Sequence, residues 1–458
     1  MSRRAWDNNG VISGVASARQ LGRKRLSMFF RSSLWRSLRH RNYRLYLTGQ
    51  LVSVCGTWMQ QVALSWLVYR LTGSATLLGI VGFATQVPVL ALGALGGVVS
   101  DRYPPHRVAV LTQCAALVQA TTLSALALSG WIQPLHIILL GVISGIVNAF
   151  DMPARQALVY QLVDAEDLPN AVALNSSMIN AARIVGPGLA GLVIAKLGEG
   201  ACFLINAFSF LAVIIALLAM NQLKKPNIST KKVSFADSFT EGFRYVAATA
   251  PIRDLLFLLG VVGIMGMPYI TLMPVFAADI HKSGADALGM MMGAVGFGAL
   301  VGALSLARRK SIIGLGRVIA LTTLGFGVAL VAFTISDLFW LSLLFLCCVG
   351  TTWMVVIAAS NTVLQTLAED AMRGRVMSLF TMMLVGLAPF GSLLAGWLTD
   401  RFGAPVVVAG GGTGCAIAAL VFARQLPRLR AAAQPILLAR GIIGASASPT
   451  EPIGFKPK

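Results

Sequence analysis

Charged side chains are scarce in this chain, and acidic ones scarcer still. Asp, Glu, Lys and Arg make up 12% of the 458 residues, and only 17 are acidic against 37 basic. A soluble domain carries about twice that charged fraction, so a soluble globular fold is excluded. Histidine is rare: His40, His106, His136 and His281 are the only four, and no two stand at metal-ligand spacing. No Ser/His/Asp or Cys/His arrangement can be assembled, so an enzyme is not expected. No Gly-x-x-x-x-Gly-Lys-Ser/Thr stretch occurs, which argues against ATP-driven work within this chain. The six cysteines (Cys55, Cys114, Cys202, Cys347, Cys348 and Cys415) all sit in apolar runs, and the adjacent pair suits neither a disulfide nor a metal. They read as small packing residues. The apolar stretches are continuous rather than alternating with period two, which excludes a transmembrane β-barrel.

What the chain does have is apolar length. Its hydrophobic content is 56% and its mean hydropathy +0.76. At ~20 residues per crossing there is room for roughly a dozen transmembrane helices. The runs place spans near residues 43–69, 75–99, 107–129, 135–157, 171–195 and 201–222, then near 254–278, 286–307, 316–336, 338–363, 376–399 and 405–423. The expected organisation is a basic N-terminal tail (1–42), a six-helix bundle (43–222), a Lys-rich central loop (223–252), a second six-helix bundle (253–423) and a basic tail (424–458). Residues 28–40 fit either a short basic helix on the membrane surface or a disordered tail, the tail being the simpler reading. Met28 is an alternative translational start. No apolar stretch of signal-peptide length precedes the first span, so no cleaved leader is expected.

The net charge of +20 raises the question of nucleic acid. Its distribution answers it. With the N-terminus inside, every Lys and Arg falls on the cytoplasmic side except Arg70, Lys196, Lys282 and Arg401, which lie opposite, and Arg183, which lies within a span. That is the positive-inside bias of a multi-pass inner-membrane protein with both termini cytoplasmic. Bilayer lipid replaces nucleic acid as the expected partner.

The fifth span stands out. It carries Arg183 in its interior, followed by Gly186-Pro187-Gly188-Leu189-Ala190-Gly191. A charge at membrane depth is expensive and usually faces a cavity or a partner. A Gly-Pro pair loosens a helix, and small residues admit a neighbouring helix. The stretch is also repeated: Leu189-Ala190-Gly191 with Gly198 matches Leu394-Ala395-Gly396 with Gly403, 205 residues on. The fifth span thus has its counterpart in the eleventh, where Ala388 stands in place of Arg183.

After the second span comes Gly97-x-x-x-Asp101-Arg102, an acid and a base at the start of a cytoplasmic turn. Asp101 can cap the next helix or pair with an Arg across a helix end, latching one of two conformations. This motif resembles the loop between spans two and three of the major facilitator superfamily. Gly186-Pro187 to Gly191 is similar to that family's fifth-span antiporter motif. Residues 41–45 (RNYRL), 56–61 (GTWMQQ), 67–74 (LVYRLTGS) and 152–157 (MPARQA) resemble the drug and siderophore exporter branch, which includes the enterobactin exporters.

The resemblance implies an all-α fold of two six-helix bundles around a central cavity, acting as a monomer without a cofactor. It implies export of a bulky, partly apolar small molecule (siderophore or drug) by alternating access, driven by the proton gradient. The coupling and gating candidates are Asp101, Arg102, Asp151, Arg183, Gly186, Pro187 and Gly191. A contact between Asp151 and Arg183 is geometrically possible, since spans four and five are antiparallel neighbours. Gln60, Gln61, Asn148, Asn180 and Asn361 are candidates for the substrate cavity, alongside Gln50, Asn175, Asn206 and Gln365; each can equally serve as helix-to-helix glue. Trp58, Trp66, Trp353 and Phe297 can stack on a planar substrate or act as anchors. An importer on the same fold, or a non-transporting sensor or scaffold, is the competing reading.

Overall fold

In a bilayer every backbone polar group must be satisfied within the chain, and continuous apolar runs of this length can do so only as helices. A computed structural model describes residues 33–221, 235–309 and 314–439. Its twelve membrane-length helices are α1 (Arg41–Thr72), α2 (Ala75–Arg102), α3 (Pro105–Leu128), α4 (Pro134–Leu162), α5 (Leu168–Leu197), α6 (Glu199–Leu218), α7 (Ala250–Ile280), α8 (Ala285–Ala307), α9 (Leu315–Thr334), α10 (Phe339–Leu367), α11 (Arg373–Phe402) and α12 (Ala404–Ala439). Each coincides with one expected span. Most run several residues longer, because polar and charged residues continue the helix beyond the apolar run. The extreme case is α12, which carries helix through Arg424–Arg430 and past Pro427 and Pro435 to Ala439, where a basic tail was expected.

Two other stretches depart from expectation. Ser33–Arg39 is a short 3-10 helix rather than a disordered tail. It docks on the start of α5: Arg36 pairs with Asp167 at 3.0 Å, His40 with the same carboxylate at 2.9 Å, and Ser37 bonds Asn170. Asp167 supplies the anchor that composition alone did not reveal. In the central connection, Phe235–Ala248 is an amphipathic helix packed on the start of α11. Glu241 pairs with Arg375 at 2.9 Å, and the Glu369 N–H donates to the Tyr245 hydroxyl. Residues 1–32 and 222–234 lie outside the described residues, as does Met28.

Helices α1–α6 pack among themselves, chiefly α2 on α4, α3 on α6 and α1 on α5 and α6. Helices α7–α12 do the same through α8–α10, α9–α12 and α7–α12. The two groups meet along α5–α8 and α2–α11. The sequence repeat explains both contacts. A Cβ on Gly186 would stand 2.6 Å from the Trp58 Cβ of α1, and one on Gly391 would strike the Ile264 carbonyl of α7. Five residues on, Gly191 admits α8 beside Ala285 and Gly289, and Gly396 admits α2 beside Ala75. The shared last glycine ends each helix: Gly198 (φ 79°) and Gly403 (φ 83°) take positive-φ caps, with N–H groups bonded to the Ile194 and Thr399 carbonyls.

These contacts give a mutational contrast. Gly391→Val forces a branched side chain into the Ile264 backbone and is expected to cost about 1–3 kcal/mol. Gly188→Ala, where nothing lies within 4 Å of the new methyl, is expected to be neutral. Thermal unfolding of the two purified variants checks the contrast.

Candidate functional site

Helix α4 places Asp151 and Arg155 one turn apart on the same face, and the pair closes at 2.6 Å. Asp151 is only 3% exposed, and it also accepts from the Thr112 hydroxyl (2.7 Å) and the Gln113 amide (3.0 Å) of α3. Arg155 donates to Gln50 of α1 at 2.8 Å. Gln50, Gln113, Asp151 and Arg155 border a cavity of about 250 Å³ between α1 and α3–α6. Further along it, Asn206 donates to Gln60 (2.8 Å) and Gln60 to Gln119 (3.2 Å). The Nε2 of Gln50 and the Oε1 of Gln113 have no protein partner. In a low-dielectric interior these bonds offset the cost of burying the carboxylate, and removing one partner would leave buried charge uncompensated.

Arg183 does not join this network. Its guanidinium lies over the Trp58 ring, 5.4 Å from the centroid, and its Nε has no hydrogen-bond partner. The contact considered between Asp151 and Arg183 is therefore not made: Asp151 turns to Arg155 on its own helix. Gly186 has a clear part here, because its missing side chain lets Trp58 come up beneath Arg183. Pro187 and Gly191 are buried along the same helix, with Gly191 at the α8 contact.

The close approaches between the two helix groups run from mid-depth to the end remote from the termini. Gly386 meets Leu90, Gly79 meets Ser392, Gly289 meets Pro187 and Gly296 meets the Arg183 backbone. At the remote rim, the Asp400 carboxylate of α11 accepts from the Ser74 hydroxyl (2.9 Å) and from the backbone N–H groups of Ala75 (2.8 Å) and Thr76 (3.0 Å). It caps α2 from the opposite helix group, where the helix dipole favours an anion. Nearby, Tyr69 of α1 donates to Asp279 of α7 at 2.5 Å. Toward the terminal end the contacts stop: a Cβ on Gly93 or Gly97 would meet nothing within 4 Å. The glycine contacts between the two groups thus seal the remote end and leave the terminal end open of such contacts.

The rim acid Asp101 belongs to the open end. Asp101 and Arg102 are exposed in the last turn of α2 and make no ion pair among the described residues. The next helix is capped by Pro104, without a side-chain bond, so Asp101 does not cap it. Of the cavity candidates, Gln60 and Asn148 line the polar cavity, together with Gln50, Asn175 and Asn206. Gln61 is exposed on α1, Asn180 bonds the Ser176 carbonyl of its own helix, and Asn361 accepts from Gln365 one turn along α10. Arg155, Thr112, Gln113, Gln119, Asp279 and Asp400 were not singled out from sequence. The Asp151-x-x-x-Arg155 spacing was the available signal, obscured by reading Arg155 as a cytoplasmic positive charge.

A family model described as "transmembrane secretion effector" matches residues 32–438. The chain belongs to this family of major facilitator transporters. It is 26% identical to the staphyloferrin A transporter of Staphylococcus aureus, over 79% of this chain and 90% of that one. It is 29% identical to the multidrug efflux pump Tap of Mycobacterium tuberculosis (78% and 87%) and 25% identical to the enterobactin exporter EntS of Citrobacter koseri (86% and 94%). Among solved structures, the nucleoside transporter NupG superposes with a TM-score of 0.65 at 14% identity, covering 84% of this chain and 99% of its own. A bacterial homologue of the lysosomal transporter Spinster gives 0.62 at 14% identity, covering 89% and 99%. The fold is thus the twelve-helix transporter fold, and the chain is a multi-pass membrane transporter rather than an enzyme.

The seal of this transporter can be tested at its cap. Asp400→Ala removes the three bonds to α2, a loss of about 1 kcal/mol, which shifts a two-state equilibrium roughly fivefold toward opening of the remote end. Spin labels at Leu71 and Phe402 are expected to show a larger long-distance population in the variant, while Ser129→Ala, at an exposed turn, leaves it unchanged.

Proposed function

We propose that this transporter is a proton-coupled exporter of a bulky, partly apolar small molecule of the siderophore or drug kind. It works as a monomer by alternating access, in the inner membrane with both termini in the cytoplasm. The orientation rests on the distribution of Lys and Arg. In that orientation the sealed end is external and the open end admits substrate from the cytoplasm. Relatives named as an enterobactin exporter and a multidrug efflux pump support the direction.

The observation that carries the coupling is Asp151, a carboxylate buried in a polar cavity and held by Arg155, Thr112 and Gln113. A proton arriving on Asp151 removes the charge that Arg155 balances, frees Arg155 and Gln50 to rearrange, and biases the packing of α4 against α1 and α3. Release of that proton to the cytoplasm restores the pair. The step needs only the chain's own residues and the gradient.

Inside-out vesicles holding the protein are expected to accumulate a substrate dye when acidified inside, and to lose that accumulation when a protonophore collapses the gradient. Accumulation that persists unchanged would overturn the antiport reading. Asp151→Asn is expected to reduce gradient-driven accumulation at least tenfold, and the double variant Asp151→Asn with Arg155→Gln controls for a stranded arginine, whose unpaired charge costs about 3–5 kcal/mol. Full coupled export by the double variant removes Asp151 from the mechanism. Comparison of a deletion strain's medium under iron limitation with its drug sensitivity separates the two substrate kinds.

A further inference from the structure

Two buried donors near the middle of this transporter have nothing to bond. Arg183 lies halfway along α5 with an unpartnered Nε, and among the described residues no ion pair reaches it. Tyr269 of α7 is 1% exposed, yet its hydroxyl is also unpartnered. Tyr269 opens the stretch of α7 (Tyr269–Val275) that packs against α1, the helix that carries Trp58 and so the aromatic face under Arg183. An unsatisfied buried donor costs about 1–3 kcal/mol, and an uncompensated charge more, so the pair requires an acceptor from elsewhere.

We propose that Arg183, Tyr269 and Trp58 form the binding point for an organic anion, a carboxylate or other anionic oxygen pair carried on a flat apolar body. The inference rests on the export reading above and specifies the class of molecule exported. Both free groups are donors, so a metal ion or an ammonium group is repelled, while a neutral carbonyl satisfies the bonds but leaves the charge uncompensated. A planar anion does both, and the guanidinium fork matches it. The Trp58 indole supplies the apolar wall beside the guanidinium.

The local chain geometry holds these groups in place. Helix α7 widens into a π-turn at Val262–Gly266 and continues through Pro268 directly into Tyr269. The Tyr269 ring then sits edge-on against Phe326 at 6.2 Å, which keeps it from swinging away. Gly186 sets the depth of Trp58, and Arg183 lies one turn before it. Arg183 and Trp58 belong to the first six helices and Tyr269 to the second six. An anion bridging them therefore binds best while the two groups are drawn together at the sealed end, where Gly191 and Gly289 touch further along the α5–α8 contact.

The test uses the full chain in lipid nanodiscs at neutral pH, without a gradient, and two probes of one shape: pyrene-1-carboxylate and pyrene-1-carboxamide. Wild type is expected to bind the carboxylate at least tenfold more tightly than the amide. Arg183→Gln is expected to bring that ratio to about one, and Arg183→Lys to keep most of it, which guards against a simple folding defect. Tyr269→Phe is expected to weaken carboxylate binding about tenfold, the value of a hydrogen bond to a charged group, with amide binding little changed. Wild-type binding of the carboxylate no tighter than the amide, or an Arg183→Gln variant that keeps the ratio, overturns the proposal. Gradient-driven dye accumulation in wild-type vesicles is measured in parallel. If it is present while the ratio fails, only the anion site falls; if it is absent, the export reading itself falls.

Discussion

No water enters the hydrocarbon of a bilayer to solvate a charge, and the rest of this structure depends on how the chain meets that constraint. It meets it in two ways. Asp151 and Arg155 are satisfied together, one turn apart on α4, with Thr112, Gln113 and Gln50 completing the shell. Arg183 is left with an aromatic face and a lone tyrosine. A neutralised pair and an exposed need for an anion have different uses. The first is closed within the chain, and the second is not.

The closed end obeys the same economy. Helices from the two groups approach through glycine and alanine, so their backbones pack without large side chains between them. One carboxylate set into that interface, Asp400, is met by two backbone N–H groups and a hydroxyl at a helix start, which need no counter-cation. The repeat of α5 in α11 shows how one device serves twice. In each, the first glycine seats the helix on the opening helix of its own group, and the second admits a helix of the other group. The Arg is confined to α5, since Ala388 occupies the matching place. The packing is symmetric and the charge is not.

Much of this was legible without coordinates. Twelve apolar runs announced twelve helices, because backbone in lipid has no cheaper choice. The match of Gly191 and Gly198 to Gly396 and Gly403 announced the two related helices, because a close contact and a left-handed cap both require glycine. Segments held by polar contacts were misread. Ser33–Arg39 and Phe235–Ala248 look like basic tail and loop, and they are ordered by partners, Asp167 and Arg375 among them, that lie far away in sequence. Asp101 drew attention through its motif but stands free at the open end, whereas Asp400 at the sealed end drew none.

By itself, then, the sequence determined that the chain is a helical membrane protein, how many times it crosses, which helices repeat, and that Arg183 sits at membrane depth. These follow from local terms: apolar length, glycine geometry and the cost of a charge in lipid. Only the tertiary structure decided that Asp151 belongs with Arg155 and not with Arg183, that the Tyr269 stretch of the second group packs on the helix of Trp58, and that the close contacts between the groups gather at one end. Those are pairings between side chains on separate helices, or a choice between a partner on the same helix and one on the next. Periodicity says which face a residue occupies, but the packing of the two helix groups sets what lies opposite it.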